Sequence, residues 1–146
     1  MRWATWWTLL GAFAGCAHVT PDALVSYRVD GDAIREPLVR AQGDVERGRE
    51  VLLGRDGNCL LCHAVPETRA RFMGNLAAPL SGVGARLTAG QLRLRIVDST
   101  RLNPDTIMPS YYRADGLNRV AEAWRGKPVL TAQQVEDTVA YLLTLR

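Results

Sequence analysis

The segment Cys59-Leu60-Leu61-Cys62-His63 constrains this chain more than any other. Two thiols three residues apart fall on one face of a helical turn, and an imidazole follows directly. This C-x-x-C-H spacing is the signature of covalent haem attachment. Both sulfurs can reach the two vinyl groups at one porphyrin edge, while the next residue carries its ring beneath the iron. The rest of the chain offers few rival donors: 146 residues hold three cysteines, two histidines and three methionines. A structural zinc site needs four closed ligands, and the only further Cys and His, Cys16 and His18, sit beside the N-terminal leader. A redox dithiol needs a βαβ setting, whereas these flanks read as helix and loop. A disulfide between positions three apart is geometrically awkward. One haem c, held by Cys59 and Cys62 with His63 as proximal ligand, is the reading that remains.

The N-terminus predicts export. Arg2 precedes an apolar run from Trp3 to Gly15, shorter than the ~20 residues that span a bilayer and shaped like a secretory signal. Two endings fit. Ala12-Phe13-Ala14 offers a small-x-small cleavage pattern, and Phe13-Ala14-Gly15-Cys16 resembles a bacterial lipobox, in which Cys16 would be lipidated. Both readings send the protein to the periplasm, in the second case tethered to a membrane. They also leave Cys59 and Cys62 as the only thiols of the folded part.

The sixth iron position is a choice between two methionines. His18 lies in the tether after Cys16 and has no evident packing partner. Met73 follows His63 by ten residues, too few to wrap a haem edge and cross to the far face without strain. Met108 lies in Thr106-Ile107-Met108-Pro109, within a turn-rich stretch, and Pro109 biases it towards extended backbone. Met108 is the expected distal ligand. Met/His ligation raises the potential and suits electron transfer, and it leaves no position on the metal for a substrate.

The supporting pattern predicts an all-α domain around one haem. A signal peptide over 1–15 and an N-terminal extension over 16–43 precede a cytochrome domain over 44–146. Asp44 caps a first helix over 45–53 that Gly54 closes. Thr88-x-x-Gln91 and Thr131-x-x-Gln134 are capping boxes, opening helices through about 97 and 145. Val135, Val139, Leu142 and Leu143 mark the buried stripe of the last. Gly48 provides a notch for close crossing of first and last helices, near Val139 or Leu142. A short helix over 117–124 and a weak strand through Val25, Tyr27 and Val29 are further expectations. The carbonyl of Pro79, in a run of turn residues, is expected to accept from His63 Nδ1 and fix the ring, as partners of metal-bound histidines do. The charge balance of 18 basic to 15 acidic residues, scattered without a basic run, excludes a nucleic-acid footprint.

Beyond the haem motif, the chain resembles the SoxX family of class I c-type cytochromes. The resemblance runs from about Val29 to Arg146. It rests on Gly31-Asp32-Ala33-Ile34, Pro37-Leu38, Gly43-Asp44, Gly57-Asn58 with the C-x-x-C-H segment, Gly74-Asn75 and Pro79-Leu80. Its most specific parts are Leu102-Asn103-Pro104-Asp105-Thr106-Ile107-Met108-Pro109-Ser110-Tyr111-Tyr112 and Val135-Glu136-Asp137-Thr138-Val139-Ala140-Tyr141-Leu142. It implies a periplasmic heterodimer with a SoxA-type cytochrome that oxidatively couples thiosulfate to a cysteine of the carrier SoxYZ. The bond-forming site would lie on the partner, and this chain's haem would accept the electrons and pass them to a downstream acceptor. Two other functions compete: a free-standing electron shuttle, and a gas sensor, which would need a labile sixth position. Tyr111, Tyr112 and Trp124 are candidates for an apolar interface rim.

Overall fold

A computed structural model describes residues 24–66 and 68–146; the leader, Cys16 and His18 lie outside them. Four α-helices are found among the described residues: α1 Val45–Leu53, α2 Val83–Arg86, α3 Ala89–Asp98 and α4 Ala132–Thr144. Three single 3-10 turns join them, at Cys59–Leu61, Ser99–Arg101 and Glu122–Trp124. The protein is all-α: the expected strand at 25–29 is absent, and one isolated bridge, Asp30 to Ala33, stands nearby. The segment 117–124 forms only its last 3-10 turn. Its apolar residues Leu117 and Trp124 stay exposed, so no packing repays the ordering of a longer helix.

The capping chemistry acts where the sequence places it. Asp44 accepts from Arg47 N–H at 2.8 Å. Thr88 with Gln91 and Thr131 with Gln134 form complete capping boxes. Helix α4 buries Val135, Val139 and Leu142 against Leu52 of α1 and Leu92, Ile96 and Val97 of α3 in one core. Each such side chain contributes about 1.5–3 kcal/mol on full burial.

Helices α1 and α4 cross at backbone contact. A Cβ on Gly48 would come within 1.9 Å of the Asp137 carbonyl oxygen and 3.0 Å of the Thr138 nitrogen. The crossing therefore lies at Asp137–Thr138, just before the expected Val139. Polar ties lock it: Arg47 Nε and Nη2 donate to the buried Asp137 carboxylate at 2.8 and 3.0 Å. Asp44 N–H donates to the same group at 2.8 Å.

Residues before Asp44 belong to the same packing unit. Ile34 and Leu38 sit in the core with the helices. Buried Arg93 of α3 donates to both oxygens of buried Glu136 at 2.7 and 2.8 Å and to the Ile34 carbonyl at 2.6 Å. Glu136 also accepts from Leu38 N–H at 2.8 Å. One ion pair thus fastens the N-terminal segment to two helices.

Candidate functional site

The C-x-x-C-H segment follows α1 through a forced turn. Asn58 takes a left-handed backbone, φ 46°, which asparagine tolerates better than most residues. The 3-10 turn then brings Cys62 N–H and His63 N–H to the Cys59 carbonyl at 3.2 and 2.9 Å. A second strip of chain lies along it: Gly74 N–H donates to Leu60 O at 2.7 Å and Ala77 N–H to Cys62 O at 3.0 Å. Gly74 must be glycine, because a Cβ there would sit 1.9 Å from the Leu61 carbonyl oxygen.

These contacts determine which carbonyl meets His63. Ala77 N–H bonds to Cys62 O, and Leu80 N–H bonds to Ala64 O at 2.9 Å. The two bonds bracket His63, and the carbonyl facing it is Ala78, 2.7 Å from Nδ1. The expected acceptor, Pro79, is one residue too late; its carbonyl instead lies 3.4 Å from Arg86 Nη2. A carbonyl only accepts, so Nδ1 carries the proton, and in the neutral ring Nε2 is the nitrogen left to bind a metal.

Cys59, Cys62, His63 and Met108 all line one cavity of about 450 Å³. Its walls are mainly apolar, with Val51, Leu52, Leu80, Ile96, Leu130 and Leu142 among them. The size and character match those of a cofactor site. Met73 does not line the cavity; its sulfur accepts from Val65 N–H at 3.2 Å, a local role that separates it from Met108. Cys59 and Cys62 are not bonded to each other. Among the described residues no group of three or more His, Cys, Asp or Glu side chains is placed to hold a metal ion. Burial pushes the Cys59 thiol up to about 11, far from the low-pKa thiolates of redox dithiols. The residues present fit a haem: paired thiols, one imidazole with a free lone pair, one thioether and apolar walls.

The stretch carrying Met108 has almost no regular structure, yet it is well tied. Ser99 Oγ donates to Met108 O at 2.8 Å, and Met108 N–H donates to Thr106 Oγ1 at 3.2 Å. Ser110 Oγ donates to Asp98 at 2.6 Å. Tyr111 N–H and Tyr112 N–H return to Ile96 O and Val97 O of α3 at 3.0 and 3.2 Å. Burial opposes the charge of Asp98, but bonds from Ser110 and Thr100, with Arg113 nearby, outweigh it and hold the carboxyl below its ordinary value.

Of the three aromatic residues expected at an interface rim, only Trp124 is exposed. Tyr112 is core. Tyr111 lines the cavity and donates its hydroxyl to Gly57 O at 2.7 Å, bracing the turn that precedes Cys59. Burial, with Cys59 and Cys62 nearby, pushes that phenol up to about 12, so it remains a donor at neutral pH. Ala78 and Asp98 are the residues to which sequence reasoning assigned no role, and Gly74 entered only through the Gly74-Asn75 pair of the family resemblance.

An all-helical domain with these residues gathered on one apolar cavity defines a c-type cytochrome-like protein. No protein-family model and no curated protein sequence matches the chain. Among solved structures it is similar to SoxXA from P. pantotrophus, with a TM-score of 0.77 and 33% identity over 85% of this chain and 98% of that one. The chain belongs to the SoxX family.

Proposed function

We propose that this protein is the haem c-bearing, electron-accepting subunit of an exported two-subunit enzyme. Its partner is a SoxA-type cytochrome, and the complex joins thiosulfate to a cysteine of a SoxYZ-type carrier. Joining thiosulfate to a thiol through a new S–S bond releases two electrons and a proton, so the reaction needs an electron outlet. A haem held here supplies reversible one-electron transfer and no site for substrate.

The residues of the chain have distinct parts in this reading. Cys59 and Cys62 anchor the group as thioethers. His63 Nε2 is the proximal donor, oriented through Nδ1 by the Ala78 carbonyl. Met108 is the distal donor, and the apolar walls exclude water. A methionine partner favours the reduced state and a raised potential. The observation that carries the reading is His63 and Met108 on one cavity, with the imidazole already set in the tautomer a metal needs.

Affinity isolation of the mature protein from its own periplasm, followed by haem staining, tests it. Co-isolation of a second cytochrome in equal amount, with thiosulfate-dependent reduction of both, is the expected result. A monomer reduced without that partner would instead make the protein a shuttle. Mass analysis of the same sample reads whether Cys16 is lipidated or removed.

A further inference from the structure

The Met108 segment runs through solvent-facing chain, with exposed Leu102, Ile107 and Pro109 around it. Such a segment would be expected to lift readily from the cavity, yet at Met108 and at Ser110 it is fastened to one point. That point is the C-terminal corner of α3, where Asp98 is 2% exposed. Asp98 is the last residue of α3 and the N-cap of the next turn, accepting from Thr100 N–H at 3.3 Å and Thr100 Oγ1 at 2.5 Å. From there it accepts Ser110 Oγ, two residues after Met108, at 2.6 Å. Its neighbour Ser99 donates to the Met108 carbonyl itself at 2.8 Å. Arg113 Nη1 stands 3.5 Å from the carboxylate on the far side. The preceding residues of α3, Leu94 and Val97, are fully buried, so the corner is rigid.

We propose that Asp98 is a positioning residue which, with Ser99, clamps the chain at Met108 and just beyond it, and so sets how firmly that thioether stays on the haem iron. The inference rests on the haem reading above and deepens it. An external ligand that displaces Met108 must open the clamp, so the clamp's free energy subtracts from that ligand's apparent affinity. Loss of one such hydrogen bond corresponds to about a tenfold change.

The test uses the holoprotein and titrates imidazole onto the ferric form, following the methionine-to-iron charge-transfer band. Ser110→Ala and Asp98→Asn are expected to bind imidazole about tenfold more tightly, with a weakened band and unchanged covalent haem content. Ser110→Thr, which keeps the hydroxyl, is expected to behave as the parent. Should Asp98→Asn fail to fold, Ser110→Ala and Ser99→Ala carry the same comparison. A parent band that Met108→Ala abolishes but the clamp variants retain, with parental imidazole affinity, overturns the clamp and leaves the haem reading intact. A parent protein with no such band, or a band unmoved by Met108→Ala, overturns the ligand assignment and the clamp with it.

Discussion

The α1–α4 crossing and the two ligand-bearing stretches, residues 58–80 and 99–112, are built by different means. The crossing is regular helix against regular helix, closed by Gly48 at backbone contact and by an apolar stripe. Among the described residues each ligand-bearing stretch contains one turn of 3-10 helix. Their shape comes from hydrogen bonds to neighbouring backbone, such as Gly74 to Leu60 and Tyr111 to Ile96. Regular packing supplies the stability of the molecule. Irregular chain, tied down bond by bond, supplies the positions at which a cofactor can be gripped from more than one segment.

Substitutions in the two regions should therefore separate stability from spectroscopy. Glu136→Ala is the largest disturbance, because it strands the Arg93 charge in the core and frees Leu38 N–H. A loss of about 3–5 kcal/mol is expected, read by chemical denaturation, with the visible spectrum of the remaining folded holoprotein unchanged. Gly48→Ala pushes the helices apart at the Asp137 carbonyl and should cost about 1–3 kcal/mol, again without altering the spectrum. Tyr111→Phe removes the bond to Gly57 from the cavity wall. A cost of about 1 kcal/mol is expected, accompanied this time by a small Soret shift, because the turn before Cys59 loosens.

The smallest effect is on acid stability. Burial works against the Asp137 charge, but bonds from Arg47, Asp44 N–H and Gln133 outweigh it and lower its pKa in the folded state. A carboxyl of lowered pKa contributes stability above its unfolded value, about 3.9, and loses that contribution as pH falls through the folded value. The parent should thus lose stability on acidification below about pH 4, and Asp137→Asn should show a shallower decline over the same range. Equal slopes in thermal melts would remove Asp137 from the set of acid-sensitive groups.

The same contrast explains what could be read from the residues alone. Helices α1, α3 and α4 were legible because Asp44, Thr88 and Thr131 announce their starts and apolar spacing marks their buried faces. The motif at 59–63 and Met108 stand out because so few donors exist, and the structure places them on one cavity. The expectation fell on Pro79 and the bond on Ala78, because turn composition gives the region without its register. That register comes from Ala77 and Leu80 pairing with residues 62 and 64, a long-range contact with no local signal. Asp98 carries no signal in the sequence, since its burial and its bond to Ser110 exist only once α3 has packed. The placement of Ile34 and Leu38 in the core depends in the same way on the buried Arg93–Glu136 pair, which no periodicity announces.

Covalent attachment can be read most directly from the intact mass of the protein, isolated from its own cells, under denaturing conditions. The expected spectrum shows a single species heavier than the mature polypeptide by one haem, its colour staying with the chain after acid–acetone extraction, and a Cys59→Ala/Cys62→Ala variant that lacks both mass and colour. A parent polypeptide of unmodified mass, or colour extracted from it into the solvent, would contradict a haem bound through these two sulfurs.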